Sequence, residues 1–451
     1  MDYSKRIAGA DHKKGYAHFD SRVTYLQVQK LVENPDFVSQ HAFYPLIATK
    51  LSKRFYRVTE DSYPGKSVEE KDRDIAYAAH LDHRIYQYYS LLWSDLYEKM
   101  LKESPLNECV MAYRSGKGLS NISAAAKAIE KMRELENVAV LTSDFRHFFP
   151  SIDHSYLTQR MRELFSRNVM PEDHFKVLRS VLHYSLWPLD EILTIRGYDI
   201  SSQRKRELAI KQLNRSEAHA LTIEQFSKYK EKCCKAPWKT KMNGREGGGV
   251  PQGLAVSGVL SNIYMFDFDC RAASSVKLVG GSYMRYCDDF IVVVPWENID
   301  TIRRVLEFTD QIPGVHLHES KTRLFHIYNG AVQRLNIDGT PYTGNGSSSK
   351  ITFLGFDFDG KEVRLRAGTI GKFFNRYYRR IKAIKRRGKI KSKQRSALYR
   401  SFTQKGNCPR AELRNFLSYV SRAQKMFPND PIAKPFSHMY RKIKLDLLDL
   451  T

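Results

Sequence analysis

The run Tyr286-Cys287-Asp288-Asp289-Phe290 lies between SYMR and IVVVP, two short stretches rich in apolar residues. That pattern predicts a hairpin with a carboxylate pair at its tip. Side chains alternate faces along a strand, so such a tip aims at least one carboxylate out of the sheet. Hairpin loops favour Asn-Gly or Gly-Gly, so something other than turn geometry retains these two acids. A divalent cation is the natural candidate. Taken alone, an aspartate pair is better read as a solvated turn, because Asp prefers the surface. The rest of the chain reverses that balance. Upstream, in LTSDFRHFFPSI, an apolar strand from Val138 to Leu141 leads into Asp144 and then Phe148-Phe149-Pro150-Ser151-Ile152. A strand that ends in Asp supplies the second half of a two-metal site. Between the two acidic elements lies GVPQGLAVSGVLSNIYM, from Gly249 to Met265.

These three segments, in this order, resemble motifs A, B and C of reverse transcriptases: the DxxxxF element, the PQGxxxS segment and the YxDD box. HLHESKTRLF (His316 to Phe325) resembles motif D, with its lysine at Lys321. Phe353-Leu354-Gly355-Phe356 resembles motif E, the primer grip. AYRSGKGLSNISAAAKAI (Ala112 to Ile129) resembles the fingers element that precedes motif A in bacterial retroelement and defence-associated enzymes. The similarity covers residues 75 to 360. It implies an α+β fold of the right-hand polymerase type, with fingers, a palm built on an antiparallel sheet, and a helical thumb. It also implies an RNA-directed DNA polymerase that joins deoxynucleotides on an RNA template.

Nucleotidyl transfer needs an activated 3′-hydroxyl, an in-line phosphate and neutralisation of the leaving pyrophosphate, which two divalent ions supply together. Mg2+ suits carboxylate and phosphate oxygens, with Mn2+ an alternative. Asp144 and Asp288 are the expected primary ligands. The resemblance implies a supporting role for Asp289 and for the carbonyl of Phe145. It also makes Phe149 the floor under the incoming sugar, where a ring would collide with a 2′-hydroxyl. The reading of Phe148 and Phe149 as core residues can hold for one of them. Gln252 and Gly253 are expected beside the incoming nucleotide, since glycine allows close backbone approach and Gln252 can hydrogen-bond sugar or base. Ser257 is expected to serve local backbone packing. Lys321 is the candidate general acid toward pyrophosphate, which requires a site that lowers its pKa. An exposed lysine near the triphosphate is the competing reading. Arg84 and Arg114 are expected to bind the triphosphate, because arginine offers it a bidentate fork.

A net charge of +25 and a pI near 9.6 imply a polyanionic partner, most simply nucleic acid. With 42% hydrophobic and 12% aromatic residues the chain is too apolar for a disordered basic tail. None of the six cysteines sits at CxxC spacing, which disfavours a zinc ribbon or a disulfide framework and suits a reduced cytoplasmic protein. The first twenty residues lack an apolar core, so no signal peptide is expected. No run approaches the roughly 20 apolar residues of a membrane span.

The expected organisation is an N-terminal extension and fingers over 1–137 and palm over 138–157. A basic helical insert follows over 158–245, palm again over 246–360, and a basic helical thumb over 361–451. Residues 22 to 57 read as helical, and residues 72 to 101 as a long amphipathic helix broken near His83. The HLDH cluster within it is not expected to bind metal, because adjacent helix positions do not face one point. In the insert, Ser201 to Ala218 and Ile223 to Lys232 have helical patterns, and both a solvated hairpin and an RNA-contacting surface remain open. Residues 329 to 350 read as a polar hairpin or loop. Residues 361 to 400 carry sixteen Lys or Arg and one acid, Glu362. Phe373, Tyr377, Ile381 and Ile384 mark one helical face there, read as core. Lys372, Arg376, Arg379, Arg380, Lys385, Arg386 and Arg387 occupy the others. Charges so dense repel one another, and a phosphate backbone offsets that through counterion release. A thumb that tracks a duplex without reading bases fits this block.

The NAxxH and VTG elements of retron enzymes are absent; Asn121-Ile122-Ser123-Ala124 and Tyr342-Thr343-Gly344 are loose echoes. The long insert between motifs A and B and the AYRSGKG element most resemble stand-alone bacterial antiphage reverse transcriptases, the type 3 defence-associated group among them. That resemblance implies a dedicated noncoding RNA as template, an RNA/DNA duplex as product, and in some systems a second protein. It places the protein in the bacterial cytoplasm and leaves the oligomeric state open. Two alternatives stand: a retron or group II intron-like retroelement enzyme, and a non-enzymatic RNA-binding scaffold with a relic site. The intact acids disfavour the scaffold. Phe149 argues against an RNA-dependent RNA polymerase.

Overall fold

Among the described residues of the computed structural model (3–8, 11–57, 67–114, 118–216, 219–237, 249–343, 350–404 and 415–448), eleven strands form three sheets. Residues 115–117 of the fingers element, 238–245 of the insert, 344–349 of the polar loop and Cys408 lie outside them. In chain order the strands are β1 (Leu46–Arg57), β2 (Ser67–Tyr77), β3 (Val138–Asp144), β4 (Leu186–Pro188), β5 (Ser282–Tyr286) and β6 (Asp289–Pro295). They continue with β7 (Arg323–Tyr328), β8 (Ala331–Leu335), β9 (Ile351–Phe353), β10 (Phe356–Phe358) and β11 (Val363–Leu365).

The central sheet is antiparallel with order β5-β6-β3-β7-β8. β3 is buried along its whole length and β6 along its interior, which explains their continuous apolar, β-branched composition. Alternate residues enter different cores. Ala139, Leu141, Phe290, Val292 and Val294 meet helices Ser257–Tyr264 and Phe266–Leu278 through Val259, Leu260, Phe268 and Val276. Val138, Val140, Ile291, Val293 and Phe325 meet helix Asn121–Leu135, the small sheet β9–β11 and the C-terminal helices. Each large apolar side chain so buried contributes roughly 1.5–3 kcal/mol, so both faces lock the central strands in register.

The expected helix over residues 22 to 57 is corrected. Helices occupy only Tyr25–Val32 and Pro35–Gln40, and the chain then enters β1. β1 pairs with β2 from Ile47↔Tyr77 to Arg57↔Ser67, and with β4 through Leu46↔Leu186. Pairing with β2, the next strand, and with the distant β4 overrides local propensity here. The helix expected from residue 72 begins at His80, because residues through Tyr77 belong to β2. It runs unbroken to Lys102, with the His83 amide donating to the Ala79 carbonyl at 2.7 Å. The carboxylate of Asp20 accepts from the His80 and Leu81 amides, both at 2.8 Å, and so caps this helix from a distant segment. In the HLDH cluster His80 stacks on Tyr16, while Asp82 binds His41 and the Tyr44 amide.

Insert helices Gln203–Arg215 and Ile223–Cys233 bury Ala209, Leu213 and Cys233 in a third core with Phe19, Ile47 and Trp187. The insert is therefore more than a solvated hairpin: one face is packed, and Arg204, Lys205, Lys211, Arg215, Lys228 and Lys232 are exposed. β7 and β8 are joined by Asn329-Gly330, both at positive φ (50° and 71°), the turn that Asn-Gly favours. In helix Ala367–Lys385 the buried residues are Phe373, Tyr377, Ile381 and Ile384. The basic positions Lys372, Arg376, Arg379, Arg380, Lys385, Arg386 and Arg387 are exposed around them.

Candidate active site

Asp144 ends β3 and Asp289 begins β6, and the register sets them opposite one another. Asp288 stands beside them in the two-residue loop of the β5–β6 hairpin. The Phe145 amide donates to the Asp288 carbonyl at 3.1 Å, which ties the two acidic elements together. The Phe145 ring is core, stacked on Phe148 and Phe290. Cys287, the other loop residue, takes φ 63°, a conformation costly for a side chain with a Cβ. Tertiary contacts hold it there. Tyr113 Oη donates to Cys287 Sγ at 3.3 Å, and Arg285 Nη1 donates to the Cys287 carbonyl at 2.9 Å.

Arg285 is itself anchored. Its Nε and Nη2 donate to the two oxygens of Asp269 at 2.7 and 2.6 Å, and Nη2 reaches Asn262 Oδ1 at 3.3 Å. Tyr283 Oη adds a bond to Asp269 at 2.6 Å. Both charged side chains are fully buried. Burial alone would lower the Arg285 pKa, and the Asp269 carboxylate more than offsets it, so the guanidinium stays charged. The sequence reading missed this group, since nothing local marks Asp269 as the partner of a strand residue.

The segment resembling motif D is stitched to the end of β3. The Arg146 amide donates to the His316 carbonyl and the His318 amide to the Asp144 carbonyl, both at 2.8 Å. Lys321 Nζ lies 2.6 Å from Asp144 Oδ2. In this arrangement Lys321 is a counter-charge to the aspartate. Burial pushes the Asp289 carboxyl up to about 7, helped by the charges of Asp288 and Asp144, while Lys321 and Arg366 pull it down.

Three carboxylates thus crowd one end of the sheet with less positive charge than they need. Among the described residues no three His, Cys, Asp or Glu side chains converge at ligating distance, and Lys321 covers one oxygen of Asp144. The donor set is nevertheless oxygen only, on adjoining strand ends, where burial and then mutual repulsion raise the Asp289 carboxyl. Those residues fit hard divalent cations. Asp144, Asp288, Asp289 and the Phe145 carbonyl are the groups that would hold them.

The Gly249–Leu254 loop wedges between β2 and the segment after β3. The Ala76 amide donates to the Gln252 carbonyl and the Val250 amide to the Phe149 carbonyl, both at 2.9 Å. A Cβ at Gly253 (φ 122°) would collide with the Ala76 carbonyl oxygen, and one at Gly249 with the backbone of Phe149 and Pro150. Gln252 is exposed, Phe149 is half-buried and Phe148 is core. Ser257 Oγ donates to the Pro251 carbonyl at 2.7 Å and braces the loop.

The two triphosphate arginines are corrected. Arg84 is 1% exposed and spends its donors on the carbonyls of His12 and Val23 and on Gln87, with Asp11 beside it at 3.4 Å. Arg114 pairs with Glu98 at 2.7 Å and donates to Asn107 and Val110. Both guanidinium groups are buried and taken up by partners within the fold.

Phe353↔Phe356 pair across the β9–β10 turn, whose residues Leu354 and Gly355 both take positive φ (47° and 92°). Asn121 Nδ2 donates to the Leu354 carbonyl at 3.1 Å and to Tyr419 Oη at 3.0 Å, joining three regions of the chain.

Residues 208–358 match the family model for reverse transcriptase (RNA-dependent DNA polymerase). The match takes in the Gly249–Leu254 loop, the Asp288-Asp289 hairpin and Lys321, and begins downstream of Asp144. Over that stretch, about a third of the chain, the sequence is similar to reverse transcriptases. The acid-bearing antiparallel sheet, the β1–β2 hairpin on one side and the basic helices on the other compose a right-hand polymerase fold. Among solved structures, apo telomerase from Candida tropicalis truncated from its C-terminal domain is similar at 12% identity and a TM-score of 0.39. That match covers 76% of this chain and 61% of that one. Telomerase from Candida albicans, in complex with a TWJ fragment of telomeric RNA, is similar at 12% identity and a TM-score of 0.40, over 92% of this chain and 58% of that one. The chain spans about three-fifths of each telomerase chain it matches. No match was found among curated proteins.

Proposed function

We propose that this protein is an RNA-directed DNA polymerase that copies an associated noncoding RNA in antiphage defence, in the bacterial cytoplasm. The observation that carries the polymerase reading is the gathering of Asp144, Asp288 and Asp289 at the adjoining ends of β3 and β6. Divalent ions bound there, Mg2+ or Mn2+, would activate the primer 3′-hydroxyl and neutralise the leaving pyrophosphate. The protein's own residues do the rest. Phe149 underlies the sugar and excludes a 2′-hydroxyl. Gln252 and Gly253 border the nucleotide. Lys321, which pairs with Asp144, would be free to meet the triphosphate if that carboxylate held a cation. The Phe353-Leu354-Gly355 turn steadies the primer. The defence role is supported by the AYRSGKG element and the long insert, whose exposed basic face suits RNA.

The test is primer extension by the purified chain on an RNA template, with and without divalent metal. Asp288→Asn is expected to abolish incorporation while RNA binding persists, because the loss is confined to the transition state. Incorporation by that variant at the wild-type rate would remove the reading. Sequencing the nucleic acid that co-purifies tests the template. Phage plating on cells carrying wild type or Asp288→Asn tests the defence role.

A further inference from the structure

Arg323 opens β7 opposite Thr142 of β3, two residues before Asp144. Phe325, next on the same face, pairs with Arg334 of β8. Phe325 belongs to the core shared with β9–β11 and the C-terminal helices. Side-chain alternation therefore turns Arg323 and Arg334 toward that region. Arg366 follows β11 at the start of helix Ala367–Lys385, is exposed, and donates its amide to the Gly355 carbonyl at 2.9 Å. No side chain caps that helix, so the positive end of its dipole adds to the same field.

The register makes Arg323 and Arg334 diagonal neighbours on one face of the sheet. Burial, then the charges of Arg334 and Arg366, push the Arg323 pKa down. Among the described residues none of the three has a carboxylate within ion-pairing distance. The Nε atoms of Arg323 and Arg334 are buried without an acceptor, and Arg334 lies 3.7 Å over the Tyr342 ring. Gathering like charges this way is unfavourable unless an anion joins them. The planar guanidinium fork matches phosphate oxygens in particular. Arg323 pairs with Thr142, and Asp144 is the next residue on that face of β3, so the cluster adjoins the acids. The nucleotide-facing loop packs instead against β2, with the Ala76 amide donating to the Gln252 carbonyl.

We propose that Arg323, Arg334 and Arg366 form a phosphodiester-binding subsite that holds the backbone of the strand being extended, close to its 3′ end. The assignment rests on the polymerase reading and adds to it the place where the primer is gripped by charge. Phosphate could also come from the incoming triphosphate, and the experiment separates the two.

The full chain is bound, without nucleotide or divalent metal, to an RNA template paired with a DNA primer. The primer is native, or carries one neutral methylphosphonate at each of the last linkages in turn. Wild type is expected to lose about tenfold in affinity at one linkage, the size of a lost charge-assisted bond. Arg323→Gln and Arg334→Gln should bind the native duplex about tenfold more weakly and show no further loss at that linkage. Arg366→Gln is on the surface and gives the same readout without risk to the fold, while Arg323→Lys should recover part of the affinity. Full additivity between the variants and the neutral linkage would overturn the subsite. So would unchanged duplex binding with a raised KM for deoxynucleotide, which would assign the cluster to the triphosphate. Binding is read without turnover, so failure to extend any primer would count against the polymerase reading alone.

Discussion

Asp289 carries the charge imbalance of the acid cluster, and its titration gives a prediction with a definite sign. Its carboxyl is raised from 3.8 to about 7 by burial and by Asp288 and Asp144. A raised carboxyl favours the folded state fully below the unfolded value and loses that contribution as pH rises through the folded value. In the chelated, metal-free protein the contribution of Asp289 therefore falls between about pH 4 and pH 7. His18 works the other way, since burial and then His80 lower its pKa to about 3. Its contribution is present above the unfolded value of 6.5 and is lost as pH falls. The two trends oppose one another, so the readout is a difference. The melting temperature of Asp289→Asn minus that of wild type should rise from pH 4 to pH 7 in chelator, then level off. A pH-independent difference would show that Asp289 is not the strained carboxyl. Phe149 gives a second prediction at this scale. Phe149→Ala should raise ribonucleotide use relative to deoxynucleotide use by roughly tenfold, because shaving the ring removes a steric discrimination. An unchanged ratio with activity retained would move the gate elsewhere.

At the scale of elements, the hairpins show what local sequence can and cannot reveal. The Asn329-Gly330 turn and the Asp288-Asp289 tip are legible because turn residues sit between apolar runs. β1 is not legible, because its strand character comes from pairing with β2, the next strand, and with β4, far along the chain. The start of helix His80–Lys102 is hidden for a related reason: its cap, Asp20, lies 60 residues away. The site acids were readable from short motifs, whereas the fate of Arg84 was not. Its partners His12 and Val23 lie 72 and 61 residues upstream, and only the fold decides whether a guanidinium meets them or solvent. The Arg285–Asp269 pair couples the Asp288-Asp289 hairpin to helix Phe266–Leu278. Asp269→Asn should destabilise the protein by about 3–5 kcal/mol, because it leaves a buried arginine uncompensated. Replacing both residues, as Arg285→Met with Asp269→Leu, should regain much of that stability without regaining primer extension, since the Cys287 carbonyl loses its donor. Melting and extension measured together check this, and wild-type extension by the double variant would show that Arg285 does not hold the tip.

For the molecule as a whole, the net charge of +25 is spread unevenly in sequence, and the C-terminal block is its densest part. The block keeps an apolar stripe buried and its charges outside, so charge and fold can be varied separately. Replacing Arg379, Arg380, Arg386 and Arg387 by alanine should leave helix Ala367–Lys385 intact, because Phe373, Tyr377, Ile381 and Ile384 are untouched. Arg380 also donates to Ser401 and covers Phe402, so a small loss of stability is expected at that position. Phosphate contacts carry no sequence information, so the quadruple variant should bind all duplexes more weakly and to the same degree. Each arginine that neutralises a phosphate contributes about 0.9 to the slope of log affinity against log salt for B-form DNA, so the slope should become shallower. Selection of a particular RNA should then rest on another surface, with the exposed basic face of Gln203–Arg215 and Ile223–Cys233 as the first candidate. The measurement is a salt titration of wild type and variant against cognate and scrambled RNA. A variant that lost only cognate binding and kept the full salt slope would make the block a sequence-reading element, and its assignment as a duplex-tracking thumb would be wrong.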